Sequence, residues 1–304
     1  MSSNNAMKIS KKAENIRVTA ANAGQRIDNF LMSKIKNVPK SHIHKIIRTG
    51  QTRVNGSRVK SLYKIKIDDI IRIPPYTTET KLTSLIKQEY KEQINKNICY
   101  EDDNYIIVNK PTGLSVHSGS SQGYGLIDIV RELKKSNERI DLAHRIDRST
   151  SGLIIITKNF NALRSINKSF LNQEISKKYF LVVNGLWNYK AGIKKMKIKR
   201  KDKQQEIKTL FKKIKNTKEL SFLEAELITG KTHQIRKHCY ELGFPIVGDK
   251  KYFFSKNKKT IKSNRLLLHA GELKFHDHLS KKNIHIQCKL PGDFYQFMIN
   301  YCLL

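Results

Sequence analysis

The chain has 304 residues, enough to bury a sizeable core and to hold two domains, and 59 Lys and Arg against 26 Asp and Glu give it a formal charge of +33. A charge of that size calls for a polyanion such as nucleic acid or for a membrane surface, although a Lys-rich composition alone tempers that reading. No apolar run of about 18 residues could span a bilayer, the polar start lacks a signal-peptide core, and the four cysteines have no CxxC spacing. A soluble, cytoplasmic protein without disulfide scaffold or thiolate metal site is expected.

Residues 25–36 place Ile27, Phe30, Leu31 and Ile35 on one helical stripe, and residues 40–48 repeat the device with Ile43, Ile46 and Ile47. The second helix keeps Lys40, His42, His44, Lys45 and Arg48 on its outer face. Gly50 ends it, "TRVNGSRV" (52–59) predicts a hairpin turning at Asn55-Gly56, and "IIRIPP" (70–75) a strand stopped by prolines. Residues 76–97 are polar and read as a linker. Beyond them, strand-like runs at 106–108, 153–157, 179–183, 222–228, 266–269 and 284–287 alternate with helical patterns at about 125–135, 159–172 and 231–242. Several strands follow one another without a helix between them, which predicts an α+β fold with a mainly antiparallel sheet. The tract 192–208 reads as a basic loop, with a solvated surface hairpin at least as good a reading as a specific RNA contact.

The densest chemistry lies in "AHRIDRSTSG" (143–152), where Asp147 sits between Arg145 and Arg148 just before an apolar strand. Neighbouring guanidinium groups favour a charged carboxylate, suited to nucleophilic attack or to stabilising a cation rather than to proton donation. On spacing alone an ion-paired turn is the better reading. A kinase loop is excluded because Ile146 interrupts His-Arg-Asp and no metal-binding Asn follows. Phosphate loops fail because "GSSQGYG" (119–125) fits no such pattern, and zinc hydrolysis fails because His233 and His238 lie five residues apart. Arg236, off the apolar stripe of its helix, could reach an anion such as Asp147 or simply face solvent. Tyr179 opens a strand among lysines, where an aromatic can stack on a base or merely pack.

Four segments, "IVNKPTGLSVHSG", "AHRIDRSTSGLIIITKN", "SKKYFLVVNG" and "GKTHQIRKHCYELGFPIVGD", resemble in order the motifs of the RluA family of pseudouridine synthases. The stretch from "GQRIDNFL" through "DDIIRIPP" is similar to the S4 RNA-binding domain of many members, and most like that of the branch acting on large-subunit ribosomal RNA. The chain departs from that domain at Asp68-Asp69, where Gly-Asp is usual, and at His42, where a basic residue is common. The resemblance implies an N-terminal extension (1–23), an S4-like domain (24–75), a linker (76–97) and a catalytic domain (98–304) of the pseudouridine synthase fold.

It further implies that Asp147 is the catalytic nucleophile, that Tyr179 stacks on the target uracil, that Arg236 holds the aspartate, and that Arg145 fills the space left by the flipped base. Lys40, Lys45, Arg48 and Arg53 become a second RNA grip. Conversion of uridine to pseudouridine is an isomerisation, so the resemblance implies no cofactor, metal or nucleotide. Attack at C1′, addition at C6 and proton abstraction at C2′ are all open to the carboxylate. The expected partner is large-subunit ribosomal RNA or its precursor, with no membrane association and a monomeric protein. The alternatives are an RNA-binding assembly factor with an inactive synthase domain, or a family member acting on another rRNA site or on tRNA.

Overall fold

The computed structural model describes residues 7–35, 38–80, 86–118, 123–134, 139–200, 203–254 and 260–304. Near the N-terminus, β1 (Met7–Lys11) is followed by β2 (Glu14–Arg17), α1 (Ile27–Lys34), α2 (Lys40–Arg48), β3 (Arg53–Val54), β4 (Ile70–Ile73) and β5 (Tyr76–Thr80). Strands β2, β4 and β3 form one antiparallel sheet in that order, and β1 pairs with β5. The predicted stripes are the core: Ile27, Phe30, Leu31, Ile43, Ile46 and Ile47 bury against Val18, Val54, Ile65, Ile71 and Ile73. Each such side chain contributes on the order of 1.5–3 kcal/mol by leaving water.

Asn55 (φ 50°) and Gly56 (φ 79°) make the predicted two-residue turn, both in the left-handed region that such a turn requires. The Asp68-Asp69 departure also has a local explanation. Asp68 adopts φ 65°, the conformation a glycine would hold, which a short polar side chain tolerates. Asp69 accepts from Asn55 Nδ2, Tyr63 OH and the Lys66 amide at 2.8–3.0 Å, tying the turn to the last strand. Burial pushes its carboxyl up, but these hydrogen bonds win and hold it below the ordinary range.

Two boundaries differ from expectation. Residues 14–18, read as part of an extension, are built into this unit through β2 and buried Val18. The stretch read as a linker carries β5 and α3 (Gln88–Lys96), with 81–85 outside the described residues. Helix α3 presents a single buried apolar residue, Ile94, and so shows almost no periodicity.

The remainder continues with β6 (Ile98–Glu101), β7 (Tyr105–Lys110), α4 (Leu126–Lys134), β8 (Asp141–Leu142), β9 (Ser151–Thr157), α5 (Phe160–Leu171), β10 (Ser176–Asn184), β11 (Gly192–Arg200), β12 (Lys203–Asn216), β13 (Leu220–Leu227), α6 (Gln234–Glu241), β14 (Leu268–Asp277), β15 (Lys282–Gln287) and α7 (Gly292–Asn300). One sheet runs β11-β12-β13-β10-β14-β9-β7-β6, with β15 on β14 and β8 on β9. Every pairing is antiparallel except β14 with β9, which confirms the α+β, mainly antiparallel expectation. Within the tract 192–208 the described residues 192–200 and 203–208 are paired strand, the surface hairpin rather than the loop, with 201–202 outside the described residues.

Helices cover both faces. In the β7-β9 half, Ile106, Val108, Ile154 and Ile156 pack on α4, while Tyr105, Ile107, Leu153 and Ile155 pack on α5. Burial on both faces explains why β9 is an unbroken apolar run. The two halves of the sheet meet at the parallel step, where Gly152 lies beside Ala270. A Cβ on Gly152, already at φ 115°, would come 2.3 Å from Ala270 O, so only glycine fits there. The N-terminal unit touches the larger one through Arg139, which reaches Gln25 and Asp141 and lies 5.1 Å over the Phe160 ring.

Candidate active site

Residues 143–150 bridge β8 and β9, and backbone contacts hold them in place. The Thr150 amide donates to Asp147 O (3.1 Å), Gly113 N to Arg148 O (2.8 Å), and Thr112 Oγ1 to Ser149 O (2.9 Å). Lys110 is fully buried and donates to Pro111 O and Leu114 O at 2.8 Å and to Arg148 O at 3.3 Å. Burial, with the nearby Arg265 charge, pulls its amine down to about 7. The "NKPTG" segment thus acts as a clamp on the turn that carries Asp147.

His144 is structural. Its Nε2 accepts the Ile155 amide at 3.0 Å, which requires the Nδ1–H tautomer. Burial brings its titration down to about 3, so the ring stays a neutral acceptor at working pH. Behind the turn, Ser151 Oγ receives a bond from Arg265 Nη2 (2.6 Å) and meets His269 Nδ1 (2.9 Å).

The guanidinium partner of Asp147 comes from 89 residues away. Arg236 Nη1 donates to Asp147 Oδ2 at 3.2 Å, while its Nε and Nη2 donate to the two oxygens of Asp249 at 2.8 Å. One planar fork therefore spans two carboxylates, a geometry lysine cannot supply. Arg236 is buried, not solvent-facing, because its helix is covered on the side of Asp147 and Asp249 as well as on the sheet side. Desolvation opposes its charge, yet the paired carboxylates raise it above the usual arginine range. The Asp249 side chain has no exposure; burial pushes it up, and Arg236 with the Lys251 and Tyr252 amides holds it below the usual range.

His233 caps α6 in a left-handed conformation, its Nε2 3.6 Å from Asp147 Oδ1 and its Nδ1 3.0 Å from Tyr252 OH. Burial lowers its titration despite the facing aspartate. Tyr252 in turn lies 5.1 Å under the Arg236 guanidinium.

Asp147 opens onto a cleft of about 290 Å³ lined by Arg145, Tyr179, Lys177, Leu227 and Arg236 among others. That size suits one small planar ring. Tyr179 is buried in the wall, opposite Ala225 and Ala270 on the flanking strands, whose small side chains leave room for its phenol. Burial and the Asp147 charge both push that phenol up, so it stays neutral. Arg145 is exposed at the same cleft.

Asp147, Tyr179, Arg236 and Arg145 are thus brought together from three elements, the 143–150 turn, β10 and α6. Lys40, Lys45, Arg48 and Arg53 are exposed on the N-terminal unit, outside the cleft. Sequence reasoning missed Asp249, His233, Tyr252 and the clamp residue Lys110. "GDKKY" (248–252) did carry a signal, a second lone carboxylate in a basic run.

Three comparisons bear on this site. The family model described as RNA pseudouridylate synthase matches residues 104–241. The chain is 41% identical over 299 residues to "Ribosomal large subunit pseudouridine synthase C" of Buchnera aphidicola subsp. Baizongia pistaciae, covering 92% of this chain and 94% of that protein. It is 37% identical to the protein of the same name from Vibrio parahaemolyticus, covering 83% and 85%. Among solved structures, "Human RNA Pseudouridylate Synthase Domain Containing 4" superposes with a TM-score of 0.61 at 22% identity, over 70% of this chain and 96% of that one, a likeness of fold.

Proposed function

The chain belongs to the RNA pseudouridylate synthase family, and from that premise we propose that Asp147 is its nucleophile, acting on a uridine turned out of its RNA stack into the cleft. The protein is an enzyme that isomerises uridine to pseudouridine in large-subunit ribosomal RNA. The reaction breaks the N1–C1′ bond and forms C5–C1′ with no net gain or loss of atoms, so side chains suffice and no nucleotide cofactor enters.

The single observation that carries the role of Asp147 is its carboxylate, one oxygen on the Arg236 fork and the other facing His233, at a cleft walled by Tyr179. Fixed before substrate arrives, it needs no reorganisation to attack. Extruding a base costs a few kcal/mol. Stacking on the Tyr179 ring, on the order of 1–3 kcal/mol, and insertion of Arg145 into the vacated stack offset that cost. In this reading the enzyme acts as a monomer. Its substrate is ribosomal RNA, which supports a cytoplasmic location. Mapping pseudouridines in ribosomal RNA from cells lacking the gene tests the function: specific large-subunit sites are expected to revert to uridine and to be restored by the wild-type gene. An unchanged map overturns it.

In the same reading residues 24–75 are an S4-type RNA-binding unit that grips the same RNA beyond the residues 98–304 that carry the chemistry. Lys40, Lys45, Arg48 and Arg53 are its phosphate contacts. Replacing all four by Gln touches only exposed positions. It should flatten the slope of log affinity against log salt by about 3–4, near 0.7–0.9 for each lost contact, and leave the single-turnover rate at saturating RNA unchanged. An unaltered salt slope rules out this role.

A further inference from the structure

A second cavity of about 790 Å³ adjoins the Asp147 cleft and shares with it Phe170, Lys177, Leu227, Gly230 and Lys231. Lys177 stands at the junction. Its Nζ lies 4.9 Å over the Phe170 ring, and no carboxylate among the described residues forms an ion pair with it. Burial pulls the amine below the ordinary lysine range, with only the more distant Glu226 charge opposing that effect. A desolvated cation without an anion is costly to hold, and its position says where an anion belongs.

The far side of the second cavity is suited to a base. Leu171 on its rim is 82% exposed, an unusual placement for the last residue of an otherwise amphipathic helix. Beside it Gln173 is held at φ 61°, Asn167 offers an amide, and the Ser176 hydroxyl, which donates to Glu226 Oε1, is left as an acceptor. Apolar surface for stacking next to mixed donors and acceptors matches the needs of an unpaired nucleotide. A uridine turned out of its stack leaves its neighbour without one stacking face, so both nucleotides need a place.

Building on the proposed function, we propose that the second cavity binds the nucleotide adjacent to the target uridine and that Lys177 contacts the phosphate joining the two. The expected geometry is one base in each cavity and the shared phosphodiester at the amine between them.

The test uses the full-length protein and an RNA fragment that carries the target uridine, with a neutral methylphosphonate at either linkage flanking it. At one linkage kcat/KM of the wild type should fall about tenfold or more, the size of a lost charged hydrogen bond. Lys177→Met should show a similar loss on natural RNA and no further loss on the modified RNA. Losses that multiply, or insensitivity at both linkages, overturn the assignment. A second arm rests on an exposed residue whose replacement spares the fold. Removing the base of the adjacent nucleotide should lower kcat/KM for the wild type but not for Leu171→Asp, and a wild type indifferent to that base refutes the subsite. Failure to convert natural RNA would sink the proposed function and this inference together; conversion of natural RNA without these dependences would sink the inference alone.

Discussion

Asp147→Asn is expected to bind the RNA fragment as the wild type does, within about twofold, and to form no detectable pseudouridine, a loss on the order of 10⁴-fold in single-turnover rate. The amide has the size and the acceptor oxygen of the carboxylate, so Arg236 Nη1 keeps a partner at the 3.2 Å position. Asp249 keeps its own bidentate bonds. The turn itself is held through backbone groups of residues 147–150, none of which the substitution alters. What disappears is a negatively charged oxygen able to attack or to take a proton, and a neutral amide supplies neither. Carbodiimide labelling of the product RNA reads the reaction, and gel retardation reads binding. Conversion by the variant at an undiminished rate would exclude Asp147 from the chemistry under all three mechanisms open to it.

That the function of Asp147 could not be read from its surroundings in the chain has a physical reason. The residues that define it, Arg236, Asp249 and Tyr179, lie on α6, on the loop after it and on β10, and only the folded sheet brings them together. Spacing within "HRIDRST" favoured a local ion pair, yet Arg148 Nε turns instead to Gly113 O and the bond to Asp147 is long-range. Local signals, by contrast, sufficed where structure is local. The stripes of α1 and α2, the Asn55-Gly56 turn and the apolar run of β9 were all legible. An element with a single buried side chain, such as α3, was not, because its order comes from what it packs on, and the β11-β12 hairpin was legible only as one of two readings of a basic tract. Asp249 was hidden for the same reason as Arg236: nothing near "GDKKY" shows that its carboxylate would be sealed from water.

Arg236→Met is expected to lose both activity and stability, by separable routes. Its removal strands the Asp249 carboxylate, fully buried, with only the Lys251 and Tyr252 amides left to it, and breaking such a pair costs about 3–5 kcal/mol. Asp147 loses the donor that orients it, so conversion should fall with the fold still present at low temperature. Arg236→Lys should rescue neither in full, since one amine cannot reach both carboxylates with the geometry of the fork. The double variant Arg236→Met/Asp249→Asn should recover most of the thermal stability, because a neutral amide still accepts from both backbone groups, and should recover none of the activity. The stability difference between wild type and Arg236→Met is also expected to depend on pH. Asp249 is held below its ordinary titration range in the wild type, so its contribution is complete at neutral pH and is lost as pH falls through that lowered value. In the variant the unpaired carboxylate takes up its proton at a higher pH. The difference should therefore begin to narrow above the ordinary carboxylate range and close below it. Thermal melts from pH 7 to pH 3 follow that convergence, and a difference independent of pH would mean that Asp249 is not what Arg236 stabilises.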